Sequence, residues 1–94
     1  MGITIRLIGA FRNASDKGKL TIMSEGTISL RNAIKEIVKE LPKLKTILID
    51  PELEDPRPNT LILVNGKEIS VLNGLGTMLE DEDEVVFVPV VHGG

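Results

Sequence analysis

Apolar and polar positions along this chain follow two different periods, and the switch between them lays out its elements. Ile3, Ile5 and Leu7 occupy every second position of Ile3-Thr4-Ile5-Arg6-Leu7-Ile8, and Gly9 closes the run, which predicts a half-buried strand. A polar stretch containing Asn13, Ser15, Asp16, Lys17 and Gly18 then leads, as a loose loop, into a second period-two run, Leu20-Thr21-Ile22-Met23. After Gly26 the period lengthens. Leu30, Ala33, Ile34, Ile37, Val38 and Leu41 fall at i, i+3, i+4, i+7, i+8 and i+11, predicting a helix of about three turns with one apolar face. Ser29 stands where an N-cap would accept from unpaired amides, with Thr27 in competition, and Pro42 ends the run because its ring cannot continue the ladder. Leu44, Ile47 and Leu48 give a further short turn. Asp50 to Asn59, with Pro51, Pro56 and Pro58 among acidic residues, reads as a surface loop with neither helix nor strand.

Thr60-Leu61-Ile62-Leu63-Val64 is strand-like, and Asn65-Gly66 is the preferred pair for a two-residue type I′ turn into Lys67-Glu68-Ile69. Ser70 to Met78 has no clear period, and Glu80 to Glu84 reads as a solvated acidic turn. Val85-Val86-Phe87-Val88-Pro89-Val90-Val91 is apolar throughout and is expected to lie centrally in a sheet, with pairing weakening at Pro89. The order strand, strand, helix, strand, strand, strand predicts an α+β, ubiquitin-like β-grasp fold: a mixed sheet of about five strands with one main helix across one face. Its first and last strands would pair in parallel at the centre. The β-grasp domain is expected to span 1–91, followed by a flexible His-Gly-Gly tail at 92–94. No internal repeat or low-complexity segment interrupts it.

Ninety-four residues hold one small core, burying about 60–65% of the surface the unfolded chain exposes. With 41% apolar and 27% charged residues the chain reads as an ordinary globular domain. No apolar run approaches the ~20 residues of a spanning helix, and no basic region precedes an apolar one at the start, so a cytoplasmic, soluble protein with no membrane contact is expected. Zero Cys excludes disulfides, thiolate metal sites, iron–sulfur clusters and a cysteine nucleophile. A net charge of −3 and only two aromatics, Phe11 and Phe87, argue against direct nucleic-acid binding. A single His and no Tyr leave little for acid–base catalysis, so the chain is not expected to be an enzyme. No bound cofactor and no metal site are assigned.

What stands out chemically is the end, Val91-His92-Gly93-Gly94. Two glycines there arise by chance about 1% of the time at this glycine content. Taken alone the pair is equally well read as a frayed end. DEVVFVPVVHGG together with the acidic turn before it, however, resembles the C-terminus of the MoaD/ThiS family of β-grasp sulfur carriers, which includes the molybdopterin synthase small subunit, the thiamine sulfur carrier and the ubiquitin-related modifiers. In element order the resemblance covers the whole chain, but it is specific only in the final third. The Asp50–Asn59 insert departs from the shortest family members. The resemblance implies that an adenylating, ubiquitin-activating-like enzyme uses ATP to adenylate Gly94. A sulfurtransferase then converts it to a thiocarboxylate for molybdopterin synthesis or tRNA thiolation, or the glycine is joined to lysines of other proteins. A molybdopterin synthase large subunit is a further implied partner.

Elementary chemistry fits that implication. An α-carboxylate is a poor electrophile until it gains a leaving group, which adenylation supplies. Gly93 and Gly94, lacking Cβ, make a thin strand that can enter a narrow active-site channel, and His92 is expected to set how the tail is gripped rather than to ligate metal. If Val85 and Phe87 point to the helix, Val86, Val88 and Val90 point away from it, and Leu61 and Leu63, or in the other register Ile62 and Val64, join them from the neighbouring strand. That gives either an apolar docking patch beside the tail or a second buried face covered by loops. Arg31, Lys35 and Lys39 form a basic stripe along the helix, read as a solvated face or as a surface for an acidic partner. A rival reading from another class is a ubiquitin-fold interaction module that never uses its terminus.

Overall fold

The computed structural model of the chain describes residues 2–90. Along it come β1 (Gly2–Leu7), α1 (Ala10–Ser15), β2 (Lys19–Met23), β3 (Ile28–Ser29), α2 (Leu30–Glu40), α3 (Pro42–Leu48), β4 (Thr60–Val64), β5 (Lys67–Glu68), 3₁₀ turns at Ile69–Val71 and Gly74–Gly76, β6 (Met78–Leu79) and β7 (Glu84–Pro89). Five strands make a mixed sheet in the order β2-β1-β7-β4-β5. β1 and β7 run parallel at its centre, with Ile5 opposite Val85 and Leu7 opposite Phe87. Parallel neighbours need a crossover, and the helices provide it on one face. This is the expected β-grasp arrangement.

The period-two residues Ile3, Ile5, Leu7, Ile62, Val64, Val85 and Phe87 all face that helical layer and are buried. There they join Leu30, Ala33, Ile34 and Ile37 of α2 and Leu44 and Leu48 of α3 in one cluster. α2 starts where Ser29 accepts from the Asn32 amide at 3.1 Å, so Ser29 and not Thr27 is the cap. Pro42 ends α2 and also serves as the first residue of α3, a position that needs no amide hydrogen. The Asn65-Gly66 pair carries positive φ at both positions, 50° and 83°, as a type I′ turn requires.

Several expectations are corrected. The loose loop after Gly9 holds a helix, α1, with Phe11 as its one buried side chain; a single anchor gives no period to detect. Ser15 Oγ donates to the Phe11 carbonyl at 2.8 Å, and Asp16, at φ 57°, turns the chain out. The periodless stretch before the acidic turn contains β6, which pairs with β3 as a second, two-stranded sheet, Ile28 opposite Leu79. The hairpin after Asn65-Gly66 ends at Glu68, and Ile69 opens a 3₁₀ turn. The final strand is Glu84–Pro89; Val91 lies outside the described residues.

The acidic turn does more than meet solvent. Asp81 Oδ1 accepts from the Gly2 amide at 2.7 Å, and Asp83 accepts from the Glu80 amide at 2.7 Å and from Asn65 Nδ2 at 2.9 Å. Its carboxylates thus tie the start of β1 to the β4–β5 turn. The loop 50–59 is likewise ordered by its own bonds: Asp50 and Asp55 form a β-bridge, and Asp50 Oδ1 accepts from the Glu52 and Leu53 amides, each at 2.9 Å. Among the described residues no helix is long and apolar enough to cross a membrane.

Candidate functional site: the open sheet face and the exit of β7

Strand alternation forces half of each sheet residue pair away from the helices, and on β4 and β7 those residues are apolar. Ile62 and Val64 are buried, which sets the register of β4 and turns Leu61 and Leu63 to the open face. There Leu63 pairs directly with Val86 and Leu61 with Val88. Val86, Val88 and Leu63 are half-buried by their neighbours, while Leu61 and Val90 remain 38% and 42% exposed. No loop of the described residues covers them, so of the two readings of these valines the structure selects the open face.

This face has a direction. At the end where β7 begins it is polar, with Arg6 donating to Glu84 Oε2 at 2.7 Å. At the end where β7 finishes it is apolar, and Ile8, 44% exposed, adds to Leu61, Val88 and Val90. Ile8 is a site residue the sequence reading passed over, although the alternation that buries Ile3, Ile5 and Leu7 places Thr4, Arg6 and Ile8 on the other side.

The exit itself is framed on both flanks. The Ile8 amide donates to the Phe87 carbonyl at 3.2 Å, and the Val90 amide donates to the Asn59 carbonyl at 3.0 Å, carrying the ladder one bond past Pro89. Asn59 is the last residue of the proline-containing loop, so that loop positions the chain just before 91–94. Gly9, at φ 58° and ψ −127°, lies against the Pro89 ring; a Cβ there would meet Pro89 Cγ at 3.3 Å. Only glycine takes that conformation readily, and any side chain there would also crowd the proline. His92, Gly93 and Gly94 lie outside the described residues.

The loop that ends at Asn59 carries an ion pair of its own. Asp55 accepts from Arg57, with 2.5 Å between the closest atoms. That hydrogen bond, strengthened by the adjacent positive charge, holds the Asp55 carboxyl below its ordinary range.

A central parallel pair flanked by antiparallel strands, one helical layer and an apolar open face beside the exit of the last strand define a ubiquitin-like β-grasp protein. The Urm1 family model, described as "Urm1 (Ubiquitin related modifier)", matches residues 3–94, and the chain belongs to that family. The ubiquitin-related modifier 1 of Gallus gallus is 35% identical over 69 residues, covering 69% of this chain and 63% of that protein. The ubiquitin-related modifier 1 homolog of Dictyostelium discoideum is 27% identical over 97 residues and the full length of both chains. Among solved structures, the small archaeal modifier protein 1 of Methanosarcina acetivorans superposes with a TM-score of 0.84 at 26% identity, covering 99% of this chain and 96% of that one.

Proposed function

We propose that this chain is a sulfur carrier and protein modifier whose reactive group is the carboxylate of Gly94. A separate activating enzyme brings ATP: a Gly94 carboxylate oxygen attacks the α-phosphorus, pyrophosphate leaves, and the carbon becomes an acyl-adenylate. Attack by the outer sulfur of a persulfide carried by a sulfurtransferase displaces AMP and leaves an acyl disulfide, which a second thiol cleaves to release the thiocarboxylate with formation of an enzyme disulfide. Attack by a lysine amine instead displaces AMP, loses a proton and leaves an isopeptide bond. The carrier supplies no catalytic group of its own. Gly93 gives clearance, His92 is gripped by the partner, and Val86, Val88, Val90, Leu61 and Leu63, with Ile8, form the docking surface for the activating enzyme or for a synthase large subunit. The cytoplasm, where ATP is present, is the compartment this chemistry needs.

The observation that carries the reading is the Urm1 match running through residue 94. The test is the intact mass of the protein purified gently from its host, with fragmentation to locate any change. The expected result is a gain equal to replacing one oxygen by sulfur at Gly94, or a branched peptide on a lysine. Deleting Gly94 is expected to abolish both while leaving the fold and partner docking intact. Activity indifferent to that deletion would move the reading to a ubiquitin-fold interaction module working through its sheet face alone.

A further inference from the structure

The helical layer carries a second surface, unconnected with the sheet face. Between α2, the end of α3, the loop 50–59 and the 3₁₀ turn at Gly74–Gly76 lies an open groove of about 610 Å³. Its floor is apolar: Ile34 and Val38, one helical turn apart, meet Ile49, Pro56 and Leu75. Its rim is basic. Arg31, Lys35 and Lys39, spaced four residues apart along α2, and Lys45 from α3 stand around the floor with Glu54 as the one carboxylate.

Those four cations are a concentration that the chain as a whole does not share. The protein has 11 basic and 14 acidic residues, yet four of the 11 line this single groove. Among the described residues the ion pairs are Arg6–Glu84 and Arg57–Asp55, so none of the four is neutralised by a salt bridge. Arg31 is partly shared, because its charge also favours the ionised form of Asp55. Lys35 and Lys39 have no such duty.

An apolar floor inside a cationic rim selects an occupant that is both apolar and acidic. A nucleic acid would satisfy the rim but not the floor. It would want exposed aromatic faces for its bases, and both phenylalanines, Phe11 and Phe87, are buried in the core. We infer that the groove between α2 and the loop 50–59 is a second docking site, which takes an acidic protein segment with apolar anchors, its leucine- or isoleucine-type side chains on Ile34, Val38 and Leu75 and its carboxylates on Lys35, Lys39 and Lys45. Since the groove lies on the helical side and the apolar patch on the opposite, open sheet face, both surfaces can be engaged at once.

The test is a methyl NMR titration of the full chain with a synthetic peptide of leucines interspersed with glutamates, and with a counterpart in which lysine replaces every glutamate. Saturable shifts at Ile34, Val38, Ile49 and Leu75 with the glutamate peptide, and none with the lysine peptide, are expected. Lys35→Glu with Lys39→Glu, both exposed, should weaken binding about tenfold or more in a chain whose circular dichroism still shows the fold, and added salt should weaken wild-type binding. Deleting Gly94 should change nothing, which separates this inference from the terminal chemistry. Shifts confined to Leu61, Leu63, Val86 and Val88, no saturable shift at all, or tighter binding of a single-stranded oligonucleotide than of the glutamate peptide would each overturn it.

Discussion

The two faces of the central sheet are built from alternate residues of the same strands, yet they obey different rules. On the helix side Ile3, Ile5, Val85 and Phe87 are completely buried, and their apolar character is accounted for by packing alone. On the open side Val86, Val88, Leu61 and Leu63 are equally apolar, but no element covers them and folding does not require them to be so. An isolated exposed valine is ordinary; two directly paired apolar couples ending at the exit of the last strand form a contiguous patch. The covered face therefore explains why the chain folds, and the apolar character of the open face is not accounted for by packing.

Removing a side chain from the covered face should give the largest effect and is the sharpest way to break this comparison. Phe87→Ala takes a fully buried ring from the centre of the core, with Leu7 across the ladder on one side and Ile62 on the other. A loss of about 3–5 kcal/mol is expected from lost transfer energy and the cavity left behind. Chemical denaturation would show it as a lower midpoint with an unchanged slope. A loss under ~1 kcal/mol would mean the two faces are less different than their burial states.

Next comes the place where the two faces meet, at the exit of β7. Gly9→Val forces a β-branched residue into φ 58° and pushes its Cβ toward the Pro89 ring. About 1–3 kcal/mol is expected, together with loosening of the Val90–Asn59 bond, detectable as faster amide exchange at Val90. Unchanged exchange at Val90 would show that Gly9 serves α1 alone.

Much of this arrangement was legible from the pattern of residues, and the reasons separate by element. The alternation in β7 was readable because Val85 and Phe87 bury one side completely, and Asn65-Gly66 announced its turn because few other pairs accept positive φ twice. The open-face placement of Leu61 and Leu63 was within reach but needed the register against β7, which a five-residue apolar run does not disclose. α1 and the β3–β6 pair left no trace: one is anchored by Phe11 alone, and the others are two residues long, too short for any period. The roles of Asp81 and Asp83 were hidden for a different reason. A run of carboxylates reads as a solvated surface unless one knows which distant donors, here the Gly2 amide and Asn65 Nδ2, will be brought beside it.

On the open face the expectation reverses, with little change in stability and a large change in function. Leu61→Gln with Val88→Thr keeps strand-compatible side chains at one cross-strand pair while removing its apolar surface. Stability should fall by less than about 1 kcal/mol, as for substitutions away from the core. In the proposed function, adenylation of Gly94 by the activating enzyme at limiting concentration should fall by about tenfold or more, the loss of roughly 1.4 kcal/mol of docking. Docking unaffected by this pair would return the patch to ordinary surface.

The smallest effect belongs to the loop that ends at the exit, and its pH dependence fixes its sign. Asp55 carries a carboxyl held below its ordinary value of 3.8, because it accepts from Arg57. A carboxyl whose folded-state value lies below its unfolded value contributes stability that is fully present above the unfolded value and is lost as pH falls through the folded one. Asp55→Asn should therefore destabilise the wild-type chain slightly at neutral pH, by about 0.5 kcal/mol for a partly exposed pair, and less still in high salt. As the pH falls through the native carboxyl's own lowered value, the difference between the two proteins should close. A gap that persisted in acid would show that Asp55 acts through the geometry of its side-chain hydrogen bonds, the one Oδ1 accepts from the Arg57 amide among them, and not through its charge.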